Sequence, residues 1–160
     1  MEVKNCEFCN LTDEDKKWLL CETSYWDIYL ADKQDYVGRC LLVLKRHCES
    51  LSGLNSTEWL ELKNIIDVAE KILKTTLGAD LCNWSCLMNN FYKDVVPNPH
   101  LHIHIRPRYK NPAKIDEKSF YDAEFGHHYD NDKPTQLSQQ EMETLHKKLK
   151  PEFNRLFSHL

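Results

Sequence analysis

The segment "NPHLHIHIRPRY" (98–109) places His100, His102 and His104 at every second position, with Leu101, Ile103 and Ile105 beside them. Imidazole titrates near about 6.5, so near neutral pH it can bind a metal, contact phosphate or attack an electrophile. In a β-strand, successive side chains point to opposite faces. The three histidines then line one face and the aliphatic residues enter the core. On a helix the same residues scatter around the axis, and Pro99 and Pro107 also oppose a helix. One or two such histidines read as ordinary polar occupants of a half-exposed face. Three crowded imidazoles repel one another when charged, and packing needs none of them. The row therefore predicts a site for metal, for phosphate or for nucleophilic attack. One form of such a site is a catalytic metal with an open position held by all three histidines.

A second constellation is "NCEFCN", in which Cys6 and Cys9 have a spacing that lets two thiolates reach one tetrahedral ion. A redox pair or two free thiols fit the same spacing. Two further ligands would complete a metal site, and "KRHCES" offers His47 and Cys48. The seven cysteines are odd in number and follow the acidic start "MEVKNCEFCN", which lacks a signal-peptide pattern. They read as reduced thiols in a cytoplasmic protein.

The elements that must position these residues are legible in part. "DEDKKWLLCET" (13–23) suggests a short helix leading into a strand at "SYWDIYLAD" (24–32). "RCLLVLKR" (39–46) reads as a buried strand. Asn55 and Glu58 make a capping-box pattern ahead of a helix reaching Leu77, with apolar residues at 59, 62, 65, 66, 69, 72 and 73 on one face and Gly78 as its stop. That face reads as core, with packing in a dimer as the alternative. "LCNWSCLMN" (81–89) predicts another strand. Residues 110–137 resist assignment, and a helical pattern runs from Ser138, interrupted at Pro151 before "EFNRLFSHL". These elements predict an α+β domain with an antiparallel sheet of about five strands. The length of 160 residues suits one domain, and 41% hydrophobic with 29% charged residues is ordinary for a globular chain. A net charge of −4 supplies no broad basic field, so no nucleic acid polymer is expected as partner. No stretch is long and apolar enough to predict a membrane span.

"HLHIHIRPRY" resembles the motif of the histidine triad family of nucleotide hydrolases and transferases, in which apolar residues alternate with three histidines. "NCEFCN" and "VLKRHCESL" resemble the corresponding segments of its zinc-containing microbial members, in the same order and at similar intervals. The resemblance covers about residues 5–110. It implies a histidine-triad-like domain over 1–110 with an N-terminal zinc-binding segment, and a C-terminal helical extension over 111–160 packed on it. It implies that His102 attacks the α-phosphorus of a nucleotide conjugate, such as a phosphoramidate or a dinucleoside polyphosphate, and that His104 contacts the phosphate. It also implies a structural zinc held by Cys6, Cys9, His47 and His100, an adenosine-type nucleotide substrate and a homodimer. Asn89 falls where the family carries an amide near the phosphates. The ribose-binding acid or amide maps to Ala31, with Asp32 one residue away. Arg39 replaces a family histidine and could grip phosphate oxygens as a fork. Arg106 stands where the motif is usually apolar, and "NFYKDVVPNP" replaces the usual Gly-rich loop, so the hydroxyl or amide that assists the leaving group is missing. A nucleotide sensor with little turnover is the alternative function.

Overall fold

The computed structural model describes residues 6–130, 132–135 and 137–157. The start of the chain before Cys6 and the last three residues of the expected C-terminal helix, 158–160, lie outside them.

Leu19–Glu22 (β1), Trp26–Leu30 (β2) and Cys40–Leu44 (β3) form an antiparallel meander. The helix expected over 13–23 is absent. Turns occupy 13–18 and the chain then enters β1. An isolated helix of about eleven residues is marginal in water. Here pairing with β2 satisfies the backbone instead, while Trp18 and Leu20, two residues apart, both turn inward.

Ser56–Leu77 forms α1, and its start is built as the sequence predicts. The Asn55 side chain accepts from the Glu58 backbone N–H, and the Glu58 carboxylate accepts from the Asn55 N–H. Gly78 ends the helix in the left-handed region at φ 75°. Leu62, Ile65, Ala69, Ile72, Leu73 and Leu77 are buried in the main core, Ile66 is half-buried against it, and Trp59, expected on the same face, is 47% exposed. Leu81–Ser85 (β4) follows, shorter than the expected 81–89 because a 3-10 turn takes over at Asn89–Lys93. His102–Arg108 forms β5, which lies between β3 and β4 in the sheet order β1-β2-β3-β5-β4. All neighbouring pairs are antiparallel.

The segment that resisted assignment contains a small hairpin of Ala113–Ile115 (β6) and Lys118–Phe120 (β7). Its two-residue turn puts Asp116 at φ 50°, a conformation aspartate tolerates. The last element, α2 (Gln139–Phe157), runs on through Pro151 where a break was expected. Leu145, Leu149 and Phe153 fall on one face at four-residue spacing and are fully buried. Their packing against α1 and β1 opposes the hydrogen bond lost at proline.

Register decides what each face of the sheet carries. Ile28, Leu42 and Ile103 align across β2, β3 and β5, as do Leu30, Cys40 and Ile105, and this face is core. On the other face Tyr29, Leu41, His104 and Ser85 align, and Asp27, Val43 and His102 form the adjacent row. The alternation read in the sequence thus assigns one face to packing and the other to the His102 and His104 side chains.

Candidate active site and metal cluster

His100 lies just before β5, fully buried, and is engaged at three atoms. Its Nε2–H donates to the Leu44 carbonyl at 2.7 Å, since a carbonyl can only accept. The lone pair on Nδ1 therefore faces the thiols, 3.2 Å from Cys6 Sγ and 3.5 Å from Cys9 Sγ. His47 Nδ1 lies 3.6 Å from Cys9 Sγ. All four ligand atoms fall within 4.8 Å of one another. Sulfur and nitrogen at the bond lengths usual for zinc in a tetrahedron are separated by about 3.5 Å. These four side chains fit a closed tetrahedral ion. Cys48 is turned away, donating its thiol to the Ser50 carbonyl at 3.2 Å. No other converging group of three or more His, Cys, Asp or Glu side chains occurs among the described residues, so the triad histidines do not gather around one point.

The third atom of His100 is its carbonyl oxygen, which accepts from His102 Nδ1 at 2.9 Å. That bond fixes the His102 tautomer, because the proton must sit on Nδ1 and the lone pair on Nε2. Burial lowers the His102 pKa against the supporting hydrogen bond, so the ring stays neutral at neutral pH. Phe8 and Phe91 wall it in, with ring centroids 5.1 and 5.7 Å away. Phe8 sits between the two cysteines in sequence, so the metal cluster sets one wall of the site.

His104 packs edge-on against His102 at 4.9 Å. Arg39 Nη2 donates to its Nδ1 at 3.3 Å, which leaves the His104 proton on Nε2. Burial first, then the charges of His102, Arg39 and Arg106, push its pKa down to about 3.

Arg39 is held by the loop before β3. Gln34 is fully buried; its amide nitrogen donates to the Ala31 and Arg39 carbonyls and its oxygen accepts from the Gly38 N–H. Glycine is required at 38, where φ is 83° and a Cβ would lie 2.5 Å from Leu77 Cδ1. Arg39 Nη1 donates to both oxygens of buried Asp35 at 3.0 Å. Arg106 Nε lies 3.5 Å from the same carboxylate, outside hydrogen-bonding geometry, and its Nη1 donates to Ser85 Oγ at 3.4 Å. The Arg106 guanidinium stacks 4.4 Å from the Tyr129 ring. Tyr129 is brought there by a latch. Arg108 donates to both oxygens of Asp122 at 2.6 and 3.1 Å, and Tyr36 Oη pairs with Glu124 and accepts from the Asp130 N–H.

His102, His104, Arg39, Arg106 and Asn89 line one cavity of about 710 Å³. Arg39 and His104 also line an adjoining lobe of about 240 Å³ walled by Trp18, Tyr29 and Val43, with exposed Asp32 at its rim. The structure thus gathers His102, His104, Arg39 and Asn89, and sets Asp32 to one side. Sequence reasoning missed Phe8, Phe91, Asp35 and Tyr129. Phe8 carried a signal, since two ligands flanking it in sequence must carry it to the site.

No family model matches the chain, and no curated protein does. Among solved structures, a hypothetical histidine triad nucleotide-binding protein from Sulfolobus tokodaii matches with a TM-score of 0.70 at 19% identity, over 94% of this chain and 93% of the other. A Zn-bound histidine triad family protein from Mycobacterium smegmatis matches with a TM-score of 0.62 at 17% identity, over 98% of each chain. A uridylyltransferase matches with a TM-score of 0.63 at 20% identity, over 94% of this chain and 45% of the other. The chain has the fold of histidine triad proteins. The likeness extends past residue 110, where the sequence resemblance ends.

The depressed His104 value has a consequence for stability. Between the unfolded pKa of about 6.5 and the folded value, the unfolded chain takes up a proton that the folded site refuses. Stability is therefore full above the unfolded value and declines as pH falls toward about 3. Urea unfolding midpoints measured at a series of pH values should drop on acidification, and His104→Gln should flatten part of that drop. An unchanged slope in the variant would contradict this origin.

Proposed function

We propose that the chain is a nucleotide hydrolase or nucleotidyl transferase of the histidine triad type, acting on the α-phosphorus of nucleotide conjugates through His102. The observation that carries this reading is the hydrogen bond from His102 Nδ1 to the His100 carbonyl, beside a cavity lined by two arginines. It supplies a neutral imidazole with Nε2 unprotonated, which is the form a nucleophile needs.

In this reading the nucleoside, adenosine-type by resemblance, lies in the lobe of Trp18, Tyr29 and Val43, with Asp32 near the ribose. Its α-phosphate lies over His102 and His104, within reach of Asn89. His102 Nε2 forms a bond to phosphorus as the bond to the leaving group breaks and its electron pair departs with that group. The imidazolium so formed keeps its Nδ1 proton on the His100 carbonyl. His104 presents its Nε2–H toward the charge that develops on phosphate oxygen. Water then attacks phosphorus, the P–N bond breaks, and its electron pair returns to Nε2 while the water proton is released. His102→Ala should abolish turnover and keep nucleotide binding, and quenched reactions of the unaltered protein should carry the nucleotidyl group on His102. Full activity in the variant would refute the assignment.

Cys6, Cys9, His47 and His100 hold zinc in this reading, with a structural role. Four protein ligands leave no open position for a catalytic water, so zinc supplies cross-linking and not Lewis-acid chemistry. Elemental analysis should find about one zinc per chain, and Cys6→Ser should release it and lower the melting temperature. A metal-free native protein, or zinc retained after both cysteines are changed, would contradict the site. The cytoplasmic location is carried by the reading of the cysteines as reduced thiols, and the homodimer by the resemblance alone.

A further inference from the structure

The charges behind His104 do not balance. Arg39 and Arg106 share one carboxylate, that of Asp35, and neither makes another ion pair among the described residues. Their side chains are 11% and 4% exposed, and Nε of each is buried without a hydrogen-bond partner. Arg39 donates to both oxygens of Asp35, which also accepts from the Tyr36 N–H at 3.1 Å, while Arg106 only approaches it at 3.5 Å. Arg106 is thus a buried guanidinium with weak compensation. It lies over the Tyr129 ring and lines the cavity that contains His102. A buried charge is costly unless paired, and guanidinium is always charged. The depressed pKa of His104, due in part to these two arginines, is a second sign of excess positive potential.

The position of Arg106 separates this charge from the nucleoside end. Sheet order puts β1 and β2 on one side of β3 and β5, and β4 on the other. The apolar lobe is walled from β2 and β3; Arg39 borders both this lobe and the main cavity, whereas Arg106 lines the main cavity alone. Arg106 follows His104 by two residues on the same face of β5 and bonds to Ser85 on β4.

We propose that Arg39 and Arg106 form a second anion subsite beside the α-phosphate position, which selects substrates whose leaving group is itself a phosphate. This rests on His102 as the nucleophile. When Nε2 bonds to the α-phosphorus of a phosphoanhydride, the P–O bond to the bridging oxygen breaks. That oxygen keeps the electron pair and leaves as a phosphate anion, which needs countercharge and no proton. An amine expelled from a phosphoramidate must gain a proton and brings no negative charge to the subsite. The guanidinium fork suits two oxygens of the departing phosphate, and Tyr129 packs against its carbon at 4.4 Å.

The test pairs inorganic pyrophosphate, titrated by calorimetry, with kinetics on diadenosine tetraphosphate and adenosine 5′-phosphoramidate. The unaltered protein should bind pyrophosphate. Arg106→Leu should weaken that binding by about tenfold or more, the scale of one charge-assisted hydrogen bond. The ratio of kcat/KM for the tetraphosphate to that for the phosphoramidate should fall by a similar factor. Arg106→Lys keeps a cation but offers a point charge in place of the fork and should fall between the two, which separates loss of the subsite from loss of the fold. Absence of pyrophosphate binding, equal affinity in Arg106→Leu, or an unchanged kcat/KM ratio would overturn the subsite. If neither nucleotide is turned over, the His102 mechanism fails and the pyrophosphate titration alone decides the subsite.

Discussion

Everything in the site hangs on the way His100 is held. One nitrogen is tied to β3 through Leu44, the other faces two thiols, and its carbonyl orients His102. A hydrogen bond of this kind contributes a net of about 1 kcal/mol, but a buried N–H or carbonyl left without a partner costs about 1–3 kcal/mol. The alternative His102 tautomer would leave both the His100 carbonyl and the lone pair on Nδ1 facing each other. Each 1.4 kcal/mol is about a factor of ten in population, so one tautomer dominates without any acidic residue beside the ring. The Cys6–Cys9–His47–His100 cluster and the His102 ring are consequently joined through one residue.

The same economy appears in the sheet. A strict period of two sends Leu101, Ile103 and Ile105 into the core, where burial holds the register. A slip of one residue would bury the imidazoles among aliphatic side chains and expose the isoleucines. Chemistry and packing are therefore specified by the same strand, and the precision of one follows from the other. Arg39 enters this face from β3 because Gly38 lets the chain pass close to Leu77 and Gln34 ties the loop around it.

What the sequence makes legible is whatever has a period or a cap. The histidine strand, β3 and α1 with its Asn55–Glu58 box are of that kind, and the ligand spacing of Cys6 and Cys9 is nearly so. The strand at Leu19–Glu22 was hidden because it has only four residues and is stabilised by its partner β2 rather than by local preference. The passage of α2 through Pro151 depends on burial of Leu149 and Phe153, which no local signal announces. Hardest to see was the latch. Arg108 and Asp122 are fourteen residues apart, and Tyr36 and Glu124 eighty-eight, so their pairing exists only once the sheet has formed. Tyr129 and Asp35, which define the surroundings of Arg106, belong to that layer of structure and carry no motif of their own.

The backbone holds His102 as a neutral ring with its proton on Nδ1. Nitrogen NMR of the protein with labelled histidine reads this directly at neutral pH, because protonated and unprotonated ring nitrogens have well-separated shifts. His102, assigned by comparison with His102→Ala, should show a protonated Nδ1 and an unprotonated Nε2. A His102 ring protonated on Nε2, or charged at neutral pH, would contradict it.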